Sequence, residues 1–265
     1  MVCDVVLTER SGHALEIAVA RARDYDAVFT LGGDGTAMEV AAALASTGIP
    51  IGVLPGGTGN LLARALHIPL AVRKAVPALL HGTVRNIDLG VALGRHFAVA
   101  AGVGIDAAMV AETPAWMKRR LGVLAYTLIA TRAALRIVLF NRSFHVRVEV
   151  DGEVVERRAA AVMFANFGAI LDGRITFGPG IACDDGMLDC CIFSPATLGD
   201  ALRIMWRLTA RDFRPDVALV YKRGRRFRLE TTPVLSVQAD GELLGMTPVD
   251  IAVEPFAAHV LVPRR

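Results

Sequence analysis

The chain has 265 residues, of which 54% are hydrophobic and 21% charged, which excludes a disordered or low-complexity protein and allows a full core. Its 29 basic residues against 26 acidic residues leave a net charge of +3, which is small for a dedicated nucleic-acid-binding protein, so no nucleic-acid partner is expected. None of the four cysteines belongs to a CxxC pair, and we expect all four to be small buried residues in a reducing compartment.

The first part of the chain alternates predicted strands and helices. A β-rich apolar run at Ala27–Leu31 ends in the sequence GGDG, and Thr36–Ser46 has helical composition. A second strand, Ile51–Leu54, ends in PGGTGN, after which Leu61–Leu66 opens another helix. Strands followed by glycine turns and helices predict a parallel, layered α/β domain, which we assign to residues 1–90.

The remaining residues, 91–265, show closely spaced strand patterns separated by Asp-Gly and other glycine-rich turns. This texture predicts an antiparallel β-sandwich-like domain that follows the α/β domain. The predicted elements are a hairpin at 91–103, strands at 143–150, 154–167, 186–193, 226–239 and 249–262, and a helix at 198–208.

Residues 114–140 are predicted to form a long amphipathic helical segment. Much of it is apolar enough to resemble a membrane span, but Arg132 and Arg136 lie one helical turn apart and would be costly at a bilayer centre. Trp116 and the basic residues 118–120 fit a helix that lies on an anionic membrane surface. A core-packing helix with a solvated basic end explains the same pattern equally well.

The two glycine-rich loops are the main chemical signal. Each follows a predicted strand and precedes a predicted helix, which is where open parallel sheets bind ligands. Glycine lets backbone N–H groups approach phosphate oxygens closely, and a helix N-terminus adds partial positive charge. One such loop alone is as readily an ordinary turn, whereas two in tandem favour a phosphate site. Neither loop is a Walker A motif or a GxGxxG dinucleotide motif.

The sequences LGGDGT (31–36) and LPGGTGN (54–60) resemble the nucleotide site of the diacylglycerol kinase catalytic-domain family, which includes sphingosine and ceramide kinases. The resemblance continues in the same order through NIDLG (86–90), PGIACDDGMLD (179–189) and QADGE (238–242), over almost the whole chain. NAD kinases share the first motif, whereas the two late motifs point to lipid kinases.

The resemblance implies an ATP- and Mg²⁺-dependent kinase that phosphorylates the hydroxyl of a lipid such as diacylglycerol. It also implies a cytoplasmic protein that associates peripherally with the inner face of the membrane. A homodimer is compatible with this interpretation, and the sequence leaves the identity of the lipid and the oligomeric state open.

The resemblance places ATP against both glycine loops and a threonine near the start of the chain. Asp34 is expected to reach a phosphate-bound Mg²⁺, although a turn-forming aspartate is the ordinary alternative. The residues expected to contact the nucleotide are Thr8, Gly32, Gly33, Asp34, Gly35, Thr36, Gly57, Thr58, Gly59 and Asn60.

Two further acidic residues complete the expected catalytic set with Asp34. By resemblance, Glu242 is the general base that accepts the proton of the lipid hydroxyl, unless it is only a solvated hairpin tip. Asp88 is expected to end a strand facing the same cleft and to link the metal site to the substrate. A strand-terminal cap is the alternative for Asp88.

The crowded carboxylates of DDGMLD (184–189) suggest a second, structural Mg²⁺, because close carboxylates repel each other unless a cation or hydrogen bonds offset the repulsion. The resemblance implies a side-chain oxygen from Asp185 and backbone carbonyls from Ala182 and Met187. A plain acidic turn is the alternative.

The family has a strand and an Asn-Pro loop ahead of the segment that corresponds to residues 2–7, and neither is found in this sequence. A misassigned start or a genuine truncation would explain this, and a truncation would leave an exposed sheet edge. Asn60 also stands where many bacterial members carry Asp. An NAD-kinase-like soluble kinase and a truncated, non-catalytic lipid-binding or regulatory module are the alternative functions.

Overall fold

The computed structural model describes residues 3–104, 143–170 and 175–264. The predicted segment 114–140, with Trp116, lies outside these residues. The described helices are α1 (His13–Arg21), α2 (Asp34–Ala43), α3 (Leu61–Ala65), α4 (Val72–Leu80) and α5 (Leu198–Ala210), with a 3₁₀ turn at Ala22–Asp24. Within the described ranges, no helix has the length and apolar content needed to cross a bilayer.

The described strands fall into two large sheets and a short ribbon. They are β1 (Val28–Gly32), β2 (Ile51–Pro55), β3 (Thr83–Ala92), β4 (Arg95–Phe97), β5 (Ala100–Gly104), β6 (Phe144–Val150), β7 (Glu153–Ala159), β8 (Ala161–Ala165), β9 (Ala169–Ile170), β10 (Ile175–Thr176), β11 (Leu188–Phe193), β12 (Leu219–Gly224), β13 (Arg226–Thr232), β14 (Ser236–Ala239), β15 (Glu242–Met246) and β16 (Val249–Val262).

The first sheet is mixed and runs in the order β1-β2-β16-β13-β6-β7, with β3 paired to β16 and β4 paired to β3. β1 and β2 are parallel, and β2 is parallel to β16 where Ile51 lies opposite Val260. The second sheet is antiparallel and runs in the order β12-β11-β8-β5-β14-β15. An α/β unit followed by a β-sandwich-like unit is therefore confirmed as the fold class.

The first and last parts of the chain meet on β3 and β16. Ile87 and Val260 belong to the core beneath the α/β helices, whereas Ala92 and Ile251 belong to the core between the two sheets. β16 can serve both cores because its register with β3 shifts between Glu254 and Ala258. The predicted boundary at residue 90 thus falls within a strand that both cores share.

Three predicted elements were wrong in their extent. The predicted hairpin at 91–103 is a β3–β4 hairpin, and β5 leaves it to pair with β8 and β14 in the other sheet. The predicted strands 154–167 and 226–239 each divide between the two sheets, at Ala160 and at Pro233. Strand-like sequence continues across each change of sheet, so the sequence pattern alone does not reveal the break. Pro233 marks one break because proline has no N–H to donate to a ladder.

The expected burial of the cysteines is confirmed for Cys183, Cys190 and Cys191 and wrong for Cys3, which is exposed. α2 begins at Asp34, two residues earlier than its predicted start at Thr36. The first glycine loop therefore runs directly into the helix, so that Asp34 and Gly35 belong to its first turn.

Candidate functional site

The two glycine loops lie against each other at the tips of β1 and β2. The N–H of Gly56 donates a hydrogen bond to the carbonyl of Gly32, with an N–O distance of 2.8 Å. A Cβ atom built on Gly57 would lie 2.5 Å from the Cα of Gly33, far inside van der Waals contact. The two backbones can approach this closely only because position 57 has no side chain.

The second loop is held in shape by Asn60, which adopts a left-handed conformation with φ of 49°. Its Oδ1 accepts a hydrogen bond from the N–H of Gly57 at 2.9 Å, and its Nδ2 donates one to the carbonyl of Gly57 at 3.0 Å. An aspartate could accept the first bond but could not donate the second. Thr58 is exposed at the tip of the loop, which presents polar backbone and a hydroxyl to solvent.

Asp34 connects the first loop to the element that follows the second. Its Oδ1 accepts a hydrogen bond from the N–H of Leu62 at the start of α3, and its Oδ2 lies 2.9 Å from the position a Cβ of Gly59 would take. Burial raises the pKa of this carboxyl above its usual range, although backbone N–H groups partly offset the effect. Asp34 therefore lies between the two loops, and its contact with Mg²⁺ stays a prediction.

Glu242, at the start of β15, lies beside the first glycine loop. Its Oε1 is 2.7 Å from the position that a Cβ of Gly35 would take, so the carboxylate lies directly against the backbone of Gly35. Its Oε2 accepts a hydrogen bond from Nη2 of Arg95 at 2.8 Å. No sequence motif indicates Arg95, because the β3–β4 hairpin that carries it has no recognisable pattern. Tertiary folding thus brings a carboxylate from the β-rich half to the first turn of α2.

Asp240 explains how Glu242 reaches this position. Its carboxylate accepts hydrogen bonds from three successive backbone N–H groups, those of Ala98 at 2.6 Å, Val99 at 2.9 Å and Ala100 at 3.0 Å. Burial raises the pKa of Asp240 to about 6, and the nearby charge of Asp34 also acts in that direction. The sequence indicates only a hairpin turn at Asp240, whereas in the structure this residue ties the β14–β15 hairpin to the start of β5.

Asp88 does not end a strand as predicted, because β3 continues to Ala92. Its side chain is fully buried, and its oxygens accept backbone hydrogen bonds from Asp185 at 3.0 Å, Gly186 at 2.7 Å and Phe256 at 2.8 Å. The carboxylate therefore joins the 183–186 segment to the register shift of β16. Its predicted link between metal and substrate stays a prediction.

Asn166, for which the sequence indicated no role, supports the same junction. It is fully buried, and its Nδ2 donates hydrogen bonds to the carbonyls of Asp88 and Ala98, both at 2.8 Å. Since Ala98 also donates its N–H to Asp240, the carbonyl and amide of one residue connect the Asp88 junction to the Glu242 hairpin. The two halves are thus held in register close to the glycine loops.

The predicted second cation site is arranged around an arginine. One oxygen of Asp185 accepts a hydrogen bond from the N–H of Met187 at 3.0 Å, and the other pairs with the guanidinium of Arg223. The same guanidinium lies 4.0 Å from Asp189, whose pKa burial raises to about 6. Asp185 would have to release Arg223 to bind a metal, so the residues fit a second cation poorly. The contribution of Ala182 and Met187 carbonyls stays a prediction.

The remaining predicted residues differ in their surroundings. Thr36 packs in the first turn of α2, where its Cβ lies 2.9 Å from the position that a Cβ of Gly32 would take, whereas Thr8 lies in an exposed segment before α1. No group of three or more His, Cys, Asp or Glu side chains suited to a metal occurs among the residues described. A cation at the loops would therefore depend on phosphate oxygens as well as on Asp34.

Two family models match the chain. Residues 1–92 match the diacylglycerol kinase catalytic domain, and residues 98–262 match the YegS C-terminal NAD kinase beta sandwich-like domain. The join between the matches falls close to the β3–β4 hairpin, which carries Arg95.

Known relatives and structures agree with these matches. The chain is 30% identical over 241 residues to an uncharacterized Synechocystis protein, covering 89% of this chain but 54% of that relative, and so spans about half of its length. It is 29% identical over 248 residues to the diacylglycerol kinase of Bacillus subtilis, covering 92% of this chain and 80% of the relative. A crystal structure of a Bacillus anthracis protein assigned to the diacylglycerol kinases superposes with a TM-score of 0.78 at 25% identity, covering 96% of this chain and 84% of that one.

Proposed function

Because the chain belongs to the diacylglycerol kinase catalytic-domain family, we propose that it is an ATP- and Mg²⁺-dependent kinase that transfers the γ-phosphate to the hydroxyl of a lipid such as diacylglycerol. The observation that carries the proposal is the position of Glu242, whose carboxylate lies against Gly35 at the paired glycine loops. This arrangement supports a base from one half of the chain acting on a phosphate held by the other half.

The chain's own contribution to nucleotide binding is a rigid backbone cradle. Phosphoryl transfer depends mainly on positioning and on electrostatic stabilisation, both of which fixed N–H groups provide. The contact between Gly33 and Gly57 fixes the distance between the two loops, and Asn60 fixes the shape of the second. Mg²⁺, when bound, neutralises phosphate charge, and Asp34 is the carboxylate between the loops that would hold it.

We assign Glu242 as the residue that accepts the proton of the lipid hydroxyl. As the lipid oxygen forms its bond to the γ-phosphorus and ADP departs, the hydroxyl proton passes to the Glu242 carboxylate. Arg95 holds one oxygen of that carboxylate, which leaves the oxygen next to Gly35 to face the reacting hydroxyl. Asp240 keeps the hairpin in place through its three backbone hydrogen bonds.

We further propose that the reaction takes place at the inner face of the cytoplasmic membrane, where ATP and a membrane lipid meet. The family membership supports this location. The homodimer compatible with the sequence stays a prediction.

The test is transfer of label from γ-labelled ATP to a panel of lipids, with Glu242→Gln as the informative variant. The variant should bind Mg-ATP almost normally and turn over about 10²-fold more slowly, as expected for loss of a general base. Glu153→Gln, an exposed glutamate on β7, is the matched control and should retain full activity. Normal turnover of Glu242→Gln would remove this residue from the mechanism. Formation of NADP⁺ from NAD, without lipid labelling, would favour the soluble kinase instead.

A further inference from the structure

The outward face of α5 is apolar, although it faces solvent. Leu198, Leu202, Met205 and Trp206 lie at helical spacing on this face and are 42%, 63%, 41% and 60% exposed. Thr209 lies on the same face, but its hydroxyl donates back to carbonyls of its own helix. We call the four apolar side chains the α5 outer face.

The opposite side of α5 is already occupied by the core. Ile204 and Leu208 are buried against Ala218 and Leu219, beneath the second sheet. A surface helix of this kind ordinarily turns charged and polar residues towards water. α5 instead has two apolar faces, of which the described residues cover only one, and the 83% exposed Val217 lies in the loop that follows the helix.

Around the α5 outer face, acidic side chains are mostly buried, whereas two basic side chains are exposed. The acidic side chains of Asp200, Asp212 and Asp216 are only 18%, 14% and 8% exposed, because arginines cover them. The cationic side chains of Arg203 and Arg214 are 45% and 81% exposed. An approaching partner therefore meets guanidinium groups and apolar side chains, with the carboxylates beneath them.

A cavity of about 290 Å³ lies at the edge of the α5 outer face, lined by Arg203, Trp206, Arg207, Asp212, Arg214 and Pro215. Guanidinium groups bind phosphate oxygens through paired N–H donors, and an indole lies readily at a boundary between headgroups and acyl chains. Each arginine of the cavity also pairs with an aspartate, so a headgroup phosphate would share these guanidinium groups with Asp212 and Asp216.

We propose that the α5 outer face docks onto an anionic phospholipid bilayer, with Trp206 and Leu202 in the acyl boundary and the arginines against headgroup phosphates. The choice of a bilayer rests on the proposed function, since a kinase for membrane lipids must reach its substrate at that surface. An apolar stripe with a tryptophan and exposed cations at its border is the pattern of helices that lie in the membrane interface. α5 is a different part of the sequence from the predicted segment 114–140, which lies outside the described residues.

Trp206 itself can report the docking, because the sequence contains only one other tryptophan. In a Trp116→Phe background, addition of phosphatidylglycerol vesicles should shift the emission of Trp206 to shorter wavelength, and brominated acyl chains should quench it. Vesicles of phosphatidylcholine alone should produce a much weaker effect. Unchanged emission with anionic vesicles would overturn the proposal.

Vesicle sedimentation provides the second measurement. Leu202→Gln combined with Met205→Gln should weaken partitioning onto phosphatidylglycerol vesicles by about tenfold or more, as expected for the loss of two apolar insertions. Val154→Gln, at an exposed apolar position on β7, is the matched control and should partition like the wild type. If the double variant instead converts a dimer to a monomer and still binds vesicles, the surface pairs two copies of the chain and the proposal is overturned.

These outcomes are separable from those of the proposed function. Phosphorylation of a short-chain lipid dispersed in detergent should be the same for the double variant and the wild type. Insertion of Trp206 without phosphorylation of any lipid would support the docking surface and contradict the kinase proposal. Phosphorylation of a lipid without vesicle binding would support the kinase proposal and contradict the docking surface.

Discussion

The contact between the glycine loops can be tested by adding a single methyl group. In Gly57→Ala, the new Cβ would lie 2.5 Å from the Cα and 3.3 Å from the N of Gly33. Both neighbouring atoms are backbone and cannot rotate away. The loops would have to separate by about 1 Å to restore an ordinary contact of about 3.5–4.0 Å.

We expect this separation to affect both stability and turnover. Overpacking of this kind costs about 1–3 kcal/mol, which for a chain of this size corresponds to a fall in Tm of about 2–10 °C. A displacement of about 1 Å in a phosphate-positioning loop is expected to lower kcat/KM by about 10²-fold. Binding of Mg-ATP should weaken with it, because the N–H groups of the two loops would no longer converge.

The reciprocal change is the control. In Gly33→Ala, the new Cβ would lie 3.6 Å from the Cα of Gly57, an ordinary contact, so Tm should stay close to that of the wild type. Thermal unfolding followed by circular dichroism compares the two variants, and isothermal titration with Mg-ATP measures binding. Equal Tm values for Gly57→Ala and Gly33→Ala would refute the claim that the loops are in rigid backbone contact.

Three further changes test the junction, the buried acid and the arginine. Asp88→Ala should lower the free energy of unfolding by about 3 kcal/mol or more, because three backbone N–H groups lose their acceptor at about 1–3 kcal/mol each. Asp250→Ala, at a surface ion pair, should cost less than about 1 kcal/mol, and equal denaturant midpoints would contradict the junction role. In the folded state the pKa of Asp240 is raised from an ordinary 3.8 to about 6. Protonation of Asp240 therefore stabilises the folded state fully below about pH 4, and this stabilisation is lost as the pH rises through 6. The stability of the wild type relative to Asp240→Asn should therefore fall by about 3 kcal/mol over that range, at about 1.4 kcal/mol per pKa unit, and a difference independent of pH would refute this. Because Arg223 already pairs with Asp185, a chelator should leave the wild-type Tm unchanged. Removal of the guanidinium in Arg223→Gln frees Asp185, so Mg²⁺ should raise the Tm of that variant. A fall in the wild-type Tm on chelation would show that a structural cation binds at Asp185.

The location of the glycine loops could be predicted from the sequence because the information is local. Each loop follows an apolar β-rich run and precedes a helical one, and glycines between a strand and a helix mark a tight turn of the backbone. The same holds for the Asp151-Gly152 turn, where both residues have positive φ, and for the start of α5 at Leu198. These features depend on neighbours within a few residues.

The change of sheet within two predicted strands could not be predicted in the same way. β7 and β8 are separated by one residue and read as one continuous strand in the sequence, yet they belong to different sheets. The pairing of β16 with β2 and β3 could not be predicted either, because the local sequence of a strand does not specify which distant strand it pairs with.

By itself, the sequence indicated the two classes of domain and the positions of the two glycine loops, and its resemblance to the family made Glu242 a candidate base. Only the tertiary structure decided that Glu242 lies at Gly35, that Arg95 and Asp240 hold it there, and that Asp88 is occupied by backbone N–H groups. It also decided that the outer face of α5 is exposed among the residues that the structure describes. The physical reason is that turn and strand preferences arise from short-range sterics and hydrogen bonding. The contacts of Glu242 and Asp88 instead join residues that are distant in sequence, and only the packing of the chain around β3 and β16 brings them together.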